Sequence, residues 1–81
     1  MADINEALDI LTSLEEDDMV SRKVKERICS MKNDLKEVNE DLSLAINRVL
    51  SDIEDLSNDV NIQAHVRNEL YRLTSVLESV R

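Results

Sequence analysis

The chain has 81 residues and a net charge of −8, with no glycine, no proline and a single cysteine. A chain of this length forms one small domain, residues 1–81, and 42% apolar residues with one aromatic side chain predict an aliphatic core. The lack of glycine excludes phosphate-binding and dinucleotide-binding loops, whose backbones must approach a phosphate closely. The acidic charge opposes binding to DNA.

The N-terminal sequence Met-Ala-Asp-Ile-Asn-Glu has neither the basic nor the apolar region of a signal peptide. No apolar run approaches the roughly 20 residues of a membrane span. A single cysteine cannot form an intramolecular disulfide and suits a reducing compartment. We therefore expect a cytoplasmic protein that does not associate with membranes.

Apolar residues recur at helical spacing in four segments, residues 4–14, 24–38, 42–56 and 62–80. Each segment has one apolar face and therefore predicts an amphipathic helix. Asp3 is placed to cap the first helix together with Glu6. The polar clusters 15–18, 39–41 and 57–61 separate the four helices, because such side chains favour caps and turns.

Residues 4–38 align with residues 46–80 when the sequence is shifted by 42 positions. Eight positions are identical, and two of the matches, Asn5 with Asn47 and Asp17 with Asp59, are polar and do not follow from coinciding apolar faces. The sequence therefore predicts an all-α fold, an antiparallel four-helix array made of two tandem helical hairpins, which is a HEAT-like pseudo-repeat. Two such units close into a compact array rather than a solenoid.

Charge alternates along the chain. Residues 1–18 contain no Lys or Arg, residues 21–36 contain six, and residues 37–59 are acidic again. If the first helices of the two hairpins are neighbours, as stacking implies, the molecule has an acidic face and a more basic one, and we predict such a separation of charge. The alternative is that opposite charges pair between neighbouring helices.

Candidate chemistry is sparse. One cysteine and one histidine cannot build a zinc site within one chain, and the wheel position of Cys29, away from the apolar stripe, argues against a nucleophile pair with His65. The turn at 55–61 is rich in oxygen atoms but lacks the glycine and terminal glutamate of an EF-hand. We expect no enzymatic activity, no metal and no cofactor.

One candidate interaction site comprises Asp59, Asn61, His65 and Arg67, around the start of the fourth helix. A carboxylate, an imidazole and a guanidinium side by side could bind an anion or a peptide carboxylate. The alternative is structural: His65 covers the turn, and Arg67 pairs with Asp59 or Asp17.

Cys29 and Tyr71 occupy matching repeat positions on the outer side of the second and fourth helices, and they could mark a shared interface or ordinary surface. The second helix also carries a candidate basic patch for RNA, formed by Arg22, Lys23, Lys25 and Arg27. The net charge of −8 disfavours RNA as a partner.

Residues 57–67, Ser-Asn-Asp-Val-Asn-Ile-Gln-Ala-His-Val-Arg, carry a Ser-Asn-Asp turn and a His-x-Arg pair. This segment resembles uncharacterised protein family 0147, a group of small archaeal all-helical proteins, and the similarity covers most of the chain. Relatives tend to carry proline where this chain has Ser21 and Gln63. Proline is common in the first turn of a helix, so its replacement leaves the expected fold intact. The resemblance implies a fold and supplies no function.

The leading interpretation is a protein-interaction or assembly module with an unidentified protein partner. A homodimer is one expected state, since so small a core barely offsets conformational entropy. The alternative is a small regulatory or RNA-associated protein that binds through the basic second helix.

Overall fold

The computed structural model describes residues 4–36 and 41–80. Within these ranges the chain forms four α-helices and no strand, as the sequence predicts. The helices are α1 (Ile4–Glu15), α2 (Arg22–Lys36), α3 (Leu42–Ser57) and α4 (Ala64–Val80). None of the four has the length and apolarity that crossing a membrane requires.

Polar side chains cap the N-termini of two of the helices. The Ser21 hydroxyl accepts the N–H of Val24 at 3.3 Å before α2, and Asp41 Oδ1 accepts the N–H of Ser43 at 2.9 Å before α3. Each bond satisfies a backbone donor that has no partner inside the helix. The predicted cap at Asp3, and residues 37–40 with most of the predicted linker, lie outside the described residues.

The helices form a closed ring. Each packs against the next along the chain, and α4 returns to pack against α1. The described backbones of α1 and α3 do not come close to each other, and neither do those of α2 and α4, so these pairs lie on the diagonals. Only six residues separate α1 from α2, and six separate α3 from α4, so both hairpins are antiparallel. This is the geometry of a four-helix bundle.

The core is aliphatic, as expected from the composition. No buried residue in the described ranges is polar or charged. The side chains at the centre of the ring come from all four helices, among them Leu11, Met31, Ile46, Leu73 and Leu77. Leu42, which begins the third apolar stripe, is 36% exposed because it lies in the first turn of α3, at the edge of the bundle.

The expectation that α1 and α3 are neighbours is wrong, because the two acidic helices lie on a diagonal with the basic α2 between them. Opposite charges pair across the neighbouring helices. Lys32 Nζ lies 2.9 Å from Glu15 Oε1, linking α2 to α1. Arg27 Nη2 lies 3.2 Å from Asp52 Oδ1 and 3.8 Å from Asp55 Oδ2, linking α2 to α3. Charge is therefore intermixed around the ring, and the described helices do not form one acidic face.

Replacing Leu73 with alanine should destabilise the bundle strongly. Its side chain is fully buried among residues of the core, and leucine-to-alanine changes at such sites cost about 2–5 kcal/mol. Urea unfolding followed by circular dichroism measures the loss. The control is Val60→Ala, at a side chain 91% exposed, for which we expect almost no change. Equal effects of the two substitutions would contradict the burial described here.

Candidate interaction surfaces at the hairpin turns and the α3–α4 groove

The two hairpin turns, residues 16–21 and 58–63, lie side by side at one end of the bundle. We call this region the turn end. A small cleft of about 100 Å³ separates the turns and is lined by four residues from each side: Met19, Val20, Ser21 and Val24, and Asn61, Ile62, Gln63 and Val66. These two sets are 42 positions apart, so the cleft is built from matching parts of the two hairpins.

An aspartate organises each turn in the same way. Asp17 Oδ1 accepts the N–H of Met19 at 2.8 Å, and Asp59 Oδ1 accepts the N–H of Asn61 at 2.9 Å. Each aspartate also accepts a backbone bond from the residue three positions on, Val20 or Ile62. Such Asx turns reverse the chain without a left-handed residue, and none of the described residues has a positive φ angle.

His65 joins the start of α4 to the first turn. Its Nε2 lies 2.8 Å from Asp17 Oδ2, in an exposed contact across 48 residues of sequence. The pKa of Asp17 is held below its ordinary value of 3.8, first by the hydrogen bond from the Met19 N–H and then by the one to His65. The counterpart of His65, 42 positions earlier, is Lys23, so the second turn has no matching contact from an imidazole.

Arg67 does not pair with the carboxylate of Asp59 or Asp17, which was the structural alternative considered above. Its Nε donates to the Ser57 carbonyl and its Nη2 to the Asp59 carbonyl, both at 3.3 Å. The Ser57 carbonyl ends α3 and has no partner within the helix, whereas the Asp59 carbonyl lies in the turn and also accepts the Ile62 N–H. Arg67 therefore joins the last residue of α3 to the turn that follows it. The four residues of the candidate site are close in space, but the His65 and Arg67 side chains are directed to different partners.

The four residues of the candidate basic patch differ in exposure and in their partners. Arg22 and Lys23 are exposed in the first turn of α2. Lys25 is half-buried and close enough to Asp17 to contribute to lowering its pKa, while Arg27 contacts the carboxylates of α3. The four cations therefore do not form one unpaired surface.

Cys29 and Tyr71 are both exposed, but they do not share a surface. Cys29 lies on α2 and Tyr71 on α4, which are diagonal helices whose described backbones do not come close to each other. Tyr71 instead borders a depression between α3 and α4.

This depression, the α3–α4 groove, has a volume of about 370 Å³. On the α3 side the half-buried Leu50 provides apolar surface, with Ile53, only 3% exposed, beneath it. On the α4 side Tyr71, with 56% of its surface exposed, provides it. The other lining residues are Glu54, Ser57, Asn58, Thr74 and Glu78. Sequence reasoning selected Tyr71 and missed the rest.

At the matching positions of the first hairpin, α1 and α2 are joined by an ion pair. Glu15 and Lys32 make the 2.9 Å contact between α1 and α2, with side chains only 29% and 20% exposed. Their counterparts 42 positions on are Ser57 and Thr74. These shorter side chains leave the space open, and the Thr74 hydroxyl turns back to donate to the Leu70 carbonyl at 3.0 Å. The pair of substitutions visible in the repeat alignment was the signal that could have located the groove.

The described residues hold no group of three His, Cys, Asp or Glu side chains that could bind a metal ion. His65, the sole histidine of the chain, contacts Asp17. Cys29, the sole cysteine, lies on α2, whose described backbone does not come close to that of α4. A cysteine–histidine nucleophile pair therefore does not assemble within this chain.

Replacing His65 with alanine should raise the pKa of Asp17 only part of the way to 3.8, because the Met19 N–H still favours the charged carboxylate. A carboxyl NMR titration of both proteins measures this. Since the folded-state pKa is lowered, the contribution of Asp17 to stability is present above pH 3.8 and lost as pH falls through the lower value. Asp17→Asn should accordingly flatten the fall in stability at acid pH, whereas Asp18→Asn, at an exposed neighbour, should not. A fall that is unchanged in Asp17→Asn would contradict this account.

Comparison with known proteins supports the resemblance noted in the sequence. The model of an uncharacterised protein family, UPF0147, matches residues 1–80. A UPF0147 protein of Thermoplasma volcanium is 34% identical over 76 residues, which are 94% of this chain and 85% of that protein. A UPF0147 protein of Methanosarcina mazei is 31% identical over 77 residues, covering 95% of this chain and 83% of that protein.

Solved structures share the fold. The crystal structure of a UPF0147 protein from Thermoplasma acidophilum aligns with a TM-score of 0.91 at 35% identity, covering 96% of this chain and 92% of that one. The crystal structure of a protein of unknown function aligns with a TM-score of 0.88 at 23% identity, over 96% of this chain and 89% of that one, a likeness of fold alone. The chain therefore belongs to the uncharacterised protein family UPF0147.

Proposed function

We propose that the chain is a non-enzymatic protein-interaction module and that the α3–α4 groove is its binding surface. The observation that carries the proposal is the placement of Tyr71, a large side chain 56% exposed that lines the groove together with the half-buried Leu50. Tyrosine is enriched at protein interfaces, where its ring supplies contact area and its hydroxyl stays hydrated. It is the one aromatic residue in the chain.

The contrast between the hairpins supports the same surface. Glu15 and Lys32 pair between α1 and α2, whereas their shorter counterparts Ser57 and Thr74 line the α3–α4 groove. Apolar side chains along the α3–α4 groove lose contact with water when a partner covers them, which favours binding. The difference between the hairpins at these positions therefore supports the α3–α4 groove as the binding surface.

The absence of catalysis is part of the proposal. It rests on the contact of His65 with Asp17 and on the position of Cys29 on α2, whose backbone does not come close to that of α4 in the described ranges.

We further propose that the two hairpins arose by duplication, for which the matched Asx turns at Asp17 and Asp59 are the support. The exposed thiol of Cys29 suits the reducing conditions of the cytoplasm.

RNA binding through α2 has less support. Two of the four cations of the basic patch, Lys25 and Arg27, face carboxylates, and the net charge is −8. The double substitution Arg22→Glu with Lys23→Glu tests it in an electrophoretic shift with structured RNA at low salt. Binding that this double substitution abolishes would favour the alternative over the α3–α4 groove.

Photo-crosslinking tests the proposed surface. We expect benzoylphenylalanine in place of Tyr71 to crosslink in native lysate to a protein that is not captured when the same group replaces Cys29, its exposed counterpart on α2. The capture should be lost when Ser57→Glu and Thr74→Lys are added, because these side chains recreate in this groove the pair found between α1 and α2. Mass spectrometry of the crosslinked peptide identifies the bound segment.

Two results would contradict the proposal. One is the same set of crosslinked proteins from both positions, and the other is capture that survives the added Glu–Lys pair. Circular dichroism and the urea midpoint of the Ser57→Glu, Thr74→Lys variant establish that the variant is folded. The introduced charges sum to zero, so any change in capture is independent of net charge.

A further inference from the structure

We propose that the occupant of the α3–α4 groove is an amphipathic helical segment with apolar side chains on one face and Lys or Arg beside them. The inference rests on the proposed function and adds the chemistry of the partner. Three features of the groove support it: its length, the charges on its walls and the hydrogen-bonding state of its backbone.

The length fits two turns of a helix. Along α3 the lining residues run from Leu50 to Asn58, and along α4 from Tyr71 to Glu78. At 1.5 Å per residue each wall is about 11 Å long, which is about two helical turns. Apolar side chains at positions i, i+3 or i+4, and i+7 of a docked helix span this length.

The walls of the groove carry negative charge on both sides. Glu54 projects from α3 and Glu78 from α4, and the lining residues include no Lys or Arg. The cation nearest along α4 on this side is Arg67, whose guanidinium is committed to the carbonyls of Ser57 and Asp59. A partner with cations beside its apolar face would pair with both walls, whereas an acidic partner would be repelled.

A second copy of the chain does not satisfy these charges by symmetric pairing. A two-fold interface places the same patch against itself, so the Glu54 and Glu78 side chains of both copies would be brought together. Each copy also carries a net charge of −8. The groove favours a basic partner over its own surface for the same electrostatic reason.

The backbone of the groove excludes binding by strand addition. Both walls are α-helices, whose N–H and C=O groups bond within the helix, so no sheet edge is present for an extended peptide to join. Recognition must come from side chains.

A synthetic peptide of leucine and lysine tests the inference. Its leucines follow the i, i+3, i+4, i+7 pattern on one face, and three further peptides serve as controls. One replaces every lysine with glutamate, one with glutamine, and one scrambles the order of leucine and lysine to destroy the apolar face. Binding is measured by fluorescence anisotropy at about 150 mM salt, where long-range attraction between exposed charges is largely screened. NMR shift changes should be centred on Tyr71, Thr74 and Leu50.

We expect only the patterned leucine–lysine peptide to bind well. The Ser57→Glu, Thr74→Lys variant, which keeps the net charge, should weaken binding by about tenfold or more, as loss of a central contact does. Glu54→Gln with Glu78→Gln should weaken it by about threefold to tenfold, as expected for two exposed charge pairs. The matched control, Glu16→Gln with Asp18→Asn, removes two exposed charges at the turn end and should change it less than about twofold.

The outcomes separate this inference from the proposed function. Equal binding of the glutamate peptide, or equal effects of the two charge-removing variants, would overturn the inference. So would a crosslinked segment from the Tyr71 position that lacks flanking Lys or Arg, although the proposed function would then stand. A patterned peptide whose binding is insensitive to the Ser57→Glu, Thr74→Lys change, together with no groove-specific crosslink, would overturn both.

Discussion

The reversal of a chain without glycine is the constraint on which this structure depends. Helices commonly end in a left-handed residue, and glycine is the residue that adopts this conformation at least cost. Here Asp17 and Asp59 make the reversal instead, each with a side-chain oxygen that accepts the N–H two residues on. Both turns also have the same backbone bonds, and the apolar faces of the two hairpins meet in one core.

Contacts between the hairpins then close the ring. His65 reaches Asp17 from the start of α4, and Arg27 reaches the carboxylates of α3 from α2. These contacts are largely exposed, so each adds little to stability. The aliphatic core supplies most of the favourable energy, and the charged pairs favour this arrangement of neighbours over others. The basic α2 therefore pairs with the acidic helices on either side of it, and the acidic and basic residues do not form two separate faces.

The two hairpins carry similar residues at core positions and different residues at some less buried positions. Val24 and Val66, at matching positions, both pack against or within the core. The pair Glu15 and Lys32 has no counterpart in the second hairpin, where Ser57 and Thr74 open the groove beside Tyr71. The functional proposal rests on this difference between the hairpins. His65 and Arg67, the polar pair most noticeable in the sequence, instead hold the turn end together.

The sequence alone was sufficient for the four helices, their approximate bounds, the aliphatic core and the family. These follow from apolar spacing and from side chains that cap or turn the chain locally, and such effects act within a few residues. The order of the helices around the ring, the partner of His65 and the carbonyls bound by Arg67 were decided by tertiary structure. Those contacts join residues whose relative position depends on how whole helices pack, and no local pattern specifies it. The α3–α4 groove depends on both sequence and tertiary structure. The sequence places two short side chains, Ser57 and Thr74, at its surface, and the packing of α3 against α4 forms its two sides.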